Sequence, residues 1–377
     1  MINPGINNAE ILIIGGGPAG LCAAKAAAEL GAHVIICERD RFLGGQLVKQ
    51  THKFFGSEKQ SAGKRGIWIG ENLTKEIEEN ENIVVLKNAA VVGYYEDGVV
   101  GVMQNNTFIK IKPEKTIIAT GAAEKFLVFP GNSLPGVYGA GAVQTLMNVS
   151  GVKPANRVLM VGSGNIGLIV AYQLKQAGVE IAAVVEAAPQ VGGFLVHASK
   201  IRRGGIPVLT RHTIVKAYGK DQVEGAVICK LDETGNPIPG TEQDIECDVI
   251  CLAVGLTPLT EICAQAECDL KYIKELSGHV PIVDENLQTT TNGVYVAGDI
   301  TGVEEASSAM VEGRLAGYAA AESLNYGLEK APALKEEARE ELRELRAGPM
   351  GLTILKGMEK LNAEGGHVHA NLNRYSE

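Results

Sequence analysis

The feature that most constrains the fold of this chain is a glycine-spaced turn near its amino terminus, Gly15-x-Gly17-x-x-Gly20. A buried-type apolar run at 11–14 precedes the turn, and an alanine-rich stretch from Pro18 follows it. In such a strand–turn–helix unit the first glycine permits the tight turn. The second lets the backbone approach a diphosphate at the positive helix N-terminus, and the third allows close helix packing. The pattern predicts a βαβ unit that binds a dinucleotide.

An acidic residue completes this first unit. Glu38 ends the next apolar run, 23 residues after Gly15, where its carboxylate can accept hydrogen bonds from both ribose hydroxyls. The alternative is a glycine-rich turn in an α/β protein without a nucleotide, which the strand, the helix and the acid together disfavour. We therefore expect a bound dinucleotide here.

The same arrangement returns later in the chain. Gly162-x-Gly164-x-x-Gly167 lies between an apolar run and a helix-like stretch, and Glu186 follows 24 residues after Gly162. An acid at this position favours a free ribose 2'-hydroxyl, so NAD(H) is preferred over NADP(H), although two arginines lie downstream at 202–203. A retained fold whose site is empty or repurposed stays open for this second unit.

Composition and charge exclude several classes of function. Forty-four acids against 35 lysines and arginines give a formal net charge of -9, which removes the attraction to polyphosphate that nucleic-acid binders need. The seven cysteines are an odd, scattered set, which disfavours a secreted disulfide framework and favours a reducing cytoplasm. The apolar stretch at 11–24 is glycine-broken and too short for a bilayer, and no basic leader precedes it. We expect a cytoplasmic protein without a nucleic-acid partner or a membrane span.

The rest of the chain is predicted to form short strands and helices around these two units. Turn residues separate strand-like runs after the first unit, which predicts a small antiparallel meander, and a second meander is predicted at 207–230. An alanine-rich helix is predicted at 306–324. A charged helix at 335–346 is expected to end at the GlyPro pair 348–349, before a frayed terminus. The other predicted strands are 90–95, 99–103, 108–111, 116–119, 247–254 and 293–297.

Four motifs in this order carry a family resemblance. They are GlyGlyGlyProAlaGly at 15–20, GlyGlyGln at 44–46, IleIleAlaThrGly at 117–121 and ValAlaGlyAsp at 296–299. Together they resemble the flavoproteins with two dinucleotide-binding domains, over residues 10 to about 325. The resemblance implies that the first fingerprint holds the ADP half of FAD and that Asp299 binds the ribitol. It also implies that the helix from Ala306 directs its N-terminus at the flavin pyrimidine ring, stabilising negative charge on reduced flavin.

The resemblance implies two sets of cofactor-binding residues. For FAD these are Gly15, Gly17, Pro18, Ala19, Gly20, Glu38, Arg39, Gly45, Gln46, Ala90, Thr120, Gly121, Gly298, Asp299 and Ala306, with Thr120 and Gly121 at the domain crossover. For NAD(H) or another adenine nucleotide they are Gly162, Gly164, Asn165, Gly167 and Glu186. No catalytic side chain and no metal ligand is predicted, because hydride exchange at flavin N5 needs orientation and no general acid or base.

The cysteines depart from the pattern of the disulfide reductases in that family, which need two neighbouring thiols at the flavin. No CxxC or CxxxxC stands immediately after the first unit, and no CxxC lies in the predicted second domain. Cys247 and Cys251 are expected on one face of a strand about 13 Å apart, where core packing explains them better. Cys263 and Cys268 are five residues apart and are interpreted as incidental, with a dithiol role as the alternative.

A closer resemblance comes from residues 134–145, 251–259 and 298–310. These segments look like the flavoprotein subunits of heteromeric amine and amino-acid dehydrogenases. That group includes the hydrogen cyanide synthase B, opine oxidase and dye-linked proline dehydrogenase alpha subunits. The resemblance implies a second flavoprotein subunit that oxidises the substrate and a hetero-oligomeric assembly. Many relatives carry a cysteine-rich [2Fe-2S] domain, whereas no cysteine follows Cys268 here, so a cluster would have to come from a separate iron–sulfur protein or not exist.

Two further segments have both functional and structural interpretations. Residues 49–65 concentrate six basic side chains against Glu58 alone, close to the predicted flavin, and include Phe54 and Phe55. These cations could stabilise reduced flavin or meet an acidic partner, or the segment is a solvated loop with two core aromatics. His367 and His369 lack further ligands and are interpreted as part of a tail.

The sequence thus predicts an α/β fold of two nested, three-layer Rossmann-like domains with a short helical C-terminal tail. An FAD-binding domain is expected at 1–122 and 282–330, a nucleotide-binding domain at 123–281 and the tail at 331–377. The predicted function is that of an FAD oxidoreductase subunit that relays electrons between a substrate-oxidising partner and NAD or another carrier. A stand-alone NADH-dependent flavin reductase and a nucleotide-binding assembly or regulatory subunit stay open as alternatives.

Overall fold

The structure, a computed structural model, describes residues 6–54 and 58–364. The chain divides into two compact units. The first comprises the residues up to Ala123 and those from Thr257 onward, and the second is Glu124–Leu256. The sequence assigned residues 257–281 to the inserted domain, but Cys263 and Cys268 lie in one buried cluster with Leu12, inside the first unit. The insertion therefore ends earlier in the chain than the sequence predicted.

Strands and short helices alternate in the first third of the chain. Short 3-10 helices lie at Gly45–Lys49 and Glu58–Gln60. The strands are β1 (Ile6–Ile14), β2 (Val34–Cys37), β3 (Ile83–Leu86), β4 (Ala89–Tyr94), β5 (Val100–Gln104), β6 (Thr107–Ile118) and β7 (Ala122–Glu124), and the helices are α1 (Pro18–Glu29) and α2 (Gly66–Glu78).

The same pattern continues to the end of the described chain. The strands are β8 (Val137–Gly139), β9 (Arg157–Val161), β10 (Glu180–Glu186), β11 (Val208–Thr210), β12 (His212–Tyr218), β13 (Gly225–Lys230), β14 (Gln243–Glu246), β15 (Val249–Leu252), β16 (Leu256–Pro258), β17 (Leu270–Ile273), β18 (Gly278–Pro281) and β19 (Val294–Val296). The helices are α3 (Ala140–Asn148), α4 (Asn165–Gln176), α5 (Leu195–Arg203), α6 (Glu261–Gln265), α7 (Ala306–Glu322), α8 (Ala331–Leu345) and α9 (Pro349–Glu364).

A seven-stranded sheet organises the first unit. Its parallel part runs in the order β3-β2-β1-β6, with β19 beside the end of β6, and β5 and β4 extend it as an antiparallel meander. Helices α1 and α7 bury one face of the sheet in an alanine-rich cluster, and the meander side buries the other. The carboxyl ends of the parallel strands therefore meet at one edge, where ligands bind in open α/β sheets.

Strand β6 corrects one prediction. The sequence predicted separate strands at 108–111 and 116–119, but β6 runs unbroken from Thr107 to Ile118 through Pro113. The reason is its partner, because β1 is also long and pairs with β6 in parallel from its first residues to Ile14, which lies opposite Ile118. A long-range ladder of this kind overrides the local preference of proline to interrupt a strand.

The second unit repeats the layered arrangement. Five parallel strands in the order β11-β10-β9-β15-β8 form its sheet, and β12, β13 and β14 form a separate antiparallel sheet. Helices α3, α4 and α5 contribute to one buried cluster, and the antiparallel strands contribute to the cluster on the other side. The predicted three-layer α/β fold is confirmed in each unit.

The two strand cysteines of this unit do not share a face. Cys251 lies on β15 in the helix-side cluster, whereas Cys247 precedes that strand and lies in the opposite cluster with Phe129. The prediction that they lie on one face is wrong because β15 begins only at Val249 and the chain bends before it. Both side chains are buried, so their role as core residues remains.

The C-terminal part contains two helices where the sequence predicted one. Helix α8 ends at Leu345, as the GlyPro pair suggested, but Pro349 is also the first residue of α9. Proline is favourable at that position because its missing N–H has no partner in the first helical turn. Phe55, His367 and His369 lie outside the described residues. Within residues 6–54 and 58–364, none of the helices has the length and apolar character needed to cross a membrane.

Candidate functional site

The first fingerprint forms an open cradle at the start of α1. Gly15 has φ +112, and a Cβ on it would lie 2.4 Å from the Ala119 carbonyl oxygen. A Cβ on Gly20 would lie 1.9 Å from the Gly15 oxygen. A Cβ on Gly17 would instead meet nothing nearer than the Gly45 Cα, 3.9 Å away. The outer glycines therefore fix the packing, and the middle one leaves space over the positive helix end, which suits an anionic diphosphate.

Glu38 is held beside this cradle. Its Oε2 accepts a hydrogen bond from the Gly16 N–H at 2.7 Å, and its Oε1 accepts one from the Asp40 N–H at 2.8 Å. Burial raises the pKa of Glu38 above its ordinary value, and these two N–H groups offset part of that rise. A carboxylate has about four lone-pair sites, so acceptor capacity remains for ribose hydroxyls.

The GlyGlyGln turn packs directly on the fingerprint. Gly44 donates its N–H to the Gly16 carbonyl at 2.8 Å, and both Gly44 and Gly45 have positive φ. A Cβ on Gly45 would lie only 2.7 Å from the Gly17 Cα, so glycine is required there. Gln46 is exposed at the start of the following 3-10 helix. The turn therefore forms a second wall of the cradle.

The AlaThrGly and GlyAsp turns reach the same sheet edge. Gly298 has φ +83, and a Cβ on it would lie 2.8 Å from the Ala19 Cβ, so Asp299 follows immediately beside the start of α1. Thr120 donates its hydroxyl to the Leu259 carbonyl at 2.7 Å, next to Gly121 with φ +74. These predicted positions lie in one unit, at the carboxyl ends of β1, β6 and β19.

Three other predicted FAD residues also lie in this unit. The Ala89 N–H donates to the Glu38 carbonyl at 2.8 Å, which puts Ala90 near the acid. Arg39 is exposed beside it, and Ala306 begins α7. The positions predicted for FAD thus lie on adjacent turns at one sheet edge, with Pro18 as the first residue of α1.

Asp299 has an unusual electrostatic environment. Burial is the main cause that raises the pKa of Asp299 from 3.8 to about 7, and the neighbouring Glu312 and Glu304 carboxylates raise it further. The backbone N–H of Glu304 donates to this carboxyl group and partly opposes the rise. A carboxyl group held among other acids in a turn next to a cradle is suited to hydrogen-bonding a polyhydroxyl chain such as ribitol.

The second fingerprint repeats the first closely. Gly162 has φ +104 and lies against the Ala253 carbonyl oxygen, 2.2 Å from a Cβ built on it. Gly167 would place a Cβ 2.2 Å from the Gly162 oxygen, whereas a Cβ on Gly164 has nothing within 4 Å. Asn165 is the first residue of α4. This unit therefore has the same open space over the N-terminus of a helix.

Glu186 is more fully engaged than its counterpart. Its Oε2 accepts hydrogen bonds from both the N–H and the hydroxyl of Ser163, at 2.9 and 2.6 Å, and its Oε1 accepts one from the Ala188 N–H at 2.8 Å. Ser163 stands where the first fingerprint has Gly16. The arginines at 202–203 lie on α5 and are exposed.

Sequence reasoning missed a second GlyGly turn. Gly193 donates its N–H to the Ser163 carbonyl at 2.9 Å, as Gly44 does to Gly16, and Gly192 donates to the Ser163 hydroxyl at 3.2 Å. The signal was present, because a GlyGly pair begins six residues after the acid in both halves of the chain. The internal repeat is therefore longer than the fingerprint and acid alone.

All seven cysteines are buried and free. Cys263 and Cys268 are neighbours because the Cys268 N–H donates to the Cys263 carbonyl at 2.9 Å, around Glu267 with φ +57. This is the usual helix-ending geometry, in which the third-last helical residue contacts the second residue beyond the C-cap, here Ala266. A hydrogen bond from Cys263 is the main cause that lowers the pKa of Cys268 to about 6. The pair thus has a structural explanation at the end of α6.

Part of the basic segment at 49–65 interacts with acidic residues of α8. Lys59 lies 3.4 Å from Glu341 and 3.6 Å from Glu337, and Gln60 donates to Glu341 at 2.7 Å, all through α8. Phe54 is buried with Leu47, Cys22, Ile69 and Met310, which agrees with the core-aromatic interpretation. Glu58 is the only acid within the segment itself, and α8 supplies further acids from a distant part of the chain.

The comparisons with known proteins agree with this geometry. Residues 9–313 match the family described as pyridine nucleotide-disulphide oxidoreductase, which is most of the chain. The chain belongs to this family. It is accordingly an FAD-dependent oxidoreductase, and membership implies FAD and a pyridine nucleotide as cofactors.

Individual relatives are more distant. The chain is 28% identical over 327 residues to the A subunit of opine oxidase from Agrobacterium tumefaciens, covering 82% of this chain and 65% of that one. It is 26% identical over 326 residues to hydrogen cyanide synthase subunit HcnB of Pseudomonas protegens, covering 81% and 68%. It thus spans slightly less than two thirds of the opine oxidase protein.

A solved structure shows the same fold. The L-proline dehydrogenase of P. horikoshii superposes with a TM-score of 0.67 at 22% identity, covering 89% of this chain and 60% of that one. The similarity extends over nearly the whole chain, so the layered arrangement of both units is shared with that protein.

Proposed function

We propose that this protein is the electron-relaying flavoprotein subunit of a hetero-oligomeric amino-acid or amine dehydrogenase. It would exchange electrons between a partner flavoprotein that oxidises the substrate and NAD or another carrier. The observation that carries the proposal is the pair of glycine cradles, each open at its middle glycine, Gly17 and Gly164. The names of its relatives support the assembly, because the opine oxidase relative and HcnB are both named as subunits.

The first unit would hold FAD. The start of α1 and the Gly17 backbone would receive the diphosphate, because a Cβ-free cradle lies against a positive helix end. Glu38 would accept the ribose hydroxyls and Asp299 would bind the ribitol. The N-terminus of α7 at Ala306 would face negative charge on the ring. FAD supplies the two-electron chemistry at its isoalloxazine ring.

The second unit would hold NAD(H). Glu186 is fixed by three hydrogen bonds from Ser163 and Ala188, so about one lone-pair site remains and would accept a ribose hydroxyl. An acid at this position repels a 2'-phosphate, which favours NAD(H) over NADP(H). ATP or ADP shares the same adenosine and remains the competing occupant.

The two cysteines nearest the first fingerprint in sequence favour electron relay over disulfide reduction. Disulfide reductases need a thiolate that attacks flavin and a second thiol that resolves the adduct. Here the two cysteines nearest the first fingerprint in sequence, Cys22 and Cys37, lie in different hydrophobic clusters, and burial raises the pKa of each to about 12. A protonated buried thiol is a poor nucleophile. We therefore propose carrier or partner proteins, including an iron–sulfur protein, as electron acceptors.

The proposal is tested by native purification with co-purifying subunits, release of every bound nucleotide, and anaerobic addition of NADH. We expect a yellow protein that yields FAD and loses flavin absorbance with NADH. Gly164→Ala should keep FAD but lose the response to NADH, whereas Gly17→Ala should lose FAD. A colourless protein would refute the proposal. Rapid turnover with NADH and a dye but no partner subunit would favour the stand-alone reductase, and stabilisation by ATP without reduction would favour a regulatory subunit.

A further inference from the structure

The helical tail places one buried cation behind the predicted flavin site. Arg346 follows α8, and its side chain is only 6% exposed. Its Nε lies 3.0 and 3.2 Å from the two carboxylate oxygens of Glu304, and its Nη2 lies 2.6 Å from Glu304 Oε1. The same Nη2 donates to Glu312 Oε1 at 2.5 Å. One guanidinium therefore bridges two carboxylates that are themselves 11% and 3% exposed.

These carboxylates are connected directly to the GlyAsp turn. Glu312 Oε2 accepts hydrogen bonds from the Gly298 N–H at 2.9 Å and from the Thr301 hydroxyl at 2.8 Å. The Glu304 backbone N–H donates to the Asp299 carboxyl group. Arg346 is thus connected to the turn by two paths of interactions, one through Glu304 and one through Glu312.

The charge balance of this cluster depends on Arg346. Three acids, Asp299, Glu304 and Glu312, lie together, and both glutamates raise the pKa of Asp299. Burial acts to lower the pKa of Arg346, but the facing Glu312 and Glu304 carboxylates more than offset this, so the guanidinium stays charged. Removal of one partner from a buried ion pair leaves an uncompensated charge in a medium of low polarity. Without Arg346 the negative charge of Glu304 and Glu312 would have no neighbouring guanidinium to balance it.

The tail also contacts the GlyGlyGln side of the predicted flavin site. Glu341 of α8 is buried and interacts with Arg314 of α7 and, at 2.7 Å, with Gln60 from the segment that follows the GlyGlyGln turn. The tail therefore contacts both the flavin-side helix and the basic segment. The family match ends at residue 313, so Glu304 and Glu312 lie inside it whereas Arg346 lies outside.

We propose that Arg346 is a positioning residue of the flavin site, which neutralises Glu304 and Glu312 behind the Gly298–Asp299 turn and thereby sets how tightly FAD binds and how readily it is reduced. This inference rests on FAD occupying the first unit as proposed above. An excess of negative charge at the turn opposes both the diphosphate and the negative charge that reduced flavin carries. The Arg346 guanidinium reduces this repulsion because it neutralises negative charge of Glu304 and Glu312.

The test compares three purified full-length variants with the wild type. Arg346→Gln should weaken FAD binding about tenfold and lower the midpoint potential by about 30 mV, the value for a tenfold change in a two-electron equilibrium. Glu304→Gln removes a negative charge and should raise the potential. Arg343→Gln is the matched control, because Arg343 is 57% exposed and pairs with Glu336 and Glu340 on the same helix. It should change neither quantity.

Potentials are measured by anaerobic reduction beside a redox dye, and affinities by titration of flavin-free protein with FAD. Opposite shifts in Arg346→Gln and Glu304→Gln support the proposal, because a role in folding alone would not reverse sign with charge. Shifts of the same sign, or wild-type values in Arg346→Gln, overturn it. If Arg346→Gln does not fold, Glu304→Gln alone tests the proposal. A midpoint potential of Glu304→Gln that is unchanged or lower than that of the wild type then overturns it. A wild-type protein without flavin refutes the proposed function, and this inference with it, whereas a yellow wild type with unshifted variants refutes this inference alone.

Discussion

Asp299 makes the stability of the flavin-free protein depend on pH in an unusual direction. Its pKa is raised from 3.8 to about 7 by burial and by Glu312 and Glu304. At about 1.36 kcal/mol per pKa unit, this difference corresponds to roughly 4 kcal/mol as an upper limit, because water screens the partly exposed side of the group. The substitution Asp299→Asn removes the titration and keeps the shape of the side chain.

The sign follows from proton binding in the two states. Below about pH 4 the carboxyl group is protonated in both folded and unfolded chains, so it contributes no pH dependence. Between about pH 4 and pH 7 the unfolded chain has released this proton while the folded chain still holds it, so the folded state loses stability as the pH rises. Above about pH 7 the loss is complete. The stability advantage of Asp299→Asn over the wild type should therefore grow with pH, by roughly 2–3 kcal/mol between pH 5 and pH 8 as an upper limit.

The assay is urea unfolding of flavin-free protein at pH 5, 6, 7 and 8, followed by circular dichroism. Taking the difference between the wild type and Asp299→Asn cancels the titrations of acids that do not interact with Asp299. Asp221→Asn, at an exposed position in the second unit, is the matched control for replacing an aspartate with asparagine. An equal difference between the wild type and Asp299→Asn at pH 5 and pH 8 would show that the reasoning about Asp299 is wrong.

Three further substitutions test the two cradles. Gly17→Ala should melt near the wild-type temperature, because φ -78 suits alanine, but should bind FAD at least tenfold more weakly in a titration of flavin-free protein. Gly20→Ala should lower the free energy of unfolding by about 3 kcal/mol or fail to fold, because its Cβ would lie 1.9 Å from the Gly15 oxygen. Equal urea midpoints for Gly17→Ala and Gly20→Ala would contradict the roles assigned to the two glycines. Glu186→Gln should weaken NADH binding about tenfold, since hydrogen bonds to a charged acceptor contribute about 1.5–3 kcal/mol. The affinity is measured by fluorescence titration, and an unchanged affinity of Glu186→Gln for NADH would mean that NADH binds elsewhere.

The glycine fingerprints could be predicted from sequence because their constraints are local. Gly15 and Gly162 need positive φ, and Gly20 and Gly167 need the absence of a Cβ, within a few residues of each motif. The layered fold follows from the same units, because a βαβ crossover in a parallel sheet has one favoured hand. Local spacing thus accounts for both cradles and for the order of the central strands.

The remaining features depend on contacts between distant parts of the chain. Strand β6 passes through Pro113 only because β1 supplies a partner along its length. Cys247 and Cys251 separate because β15 begins later than the apolar run suggested. The segment 335–346 was predicted only as a charged helix, and nothing in its own pattern showed that Arg346 would be buried against Glu304, 42 residues earlier.

The acids at the GlyAsp turn also bear on which part of this chain is needed for the site. Glu304 and Glu312 belong to the portion that matches the family, yet their neutralising partner belongs to the tail. Replacing Arg346 with a neutral residue would leave Glu304 and Glu312 buried without their cation, at a cost of about 3–5 kcal/mol for a single broken pair. Typical domains have only about 5–15 kcal/mol of stability. The tail of this protein is therefore part of the first unit's charge balance, and the site at the GlyAsp turn is complete only with Arg346 in place.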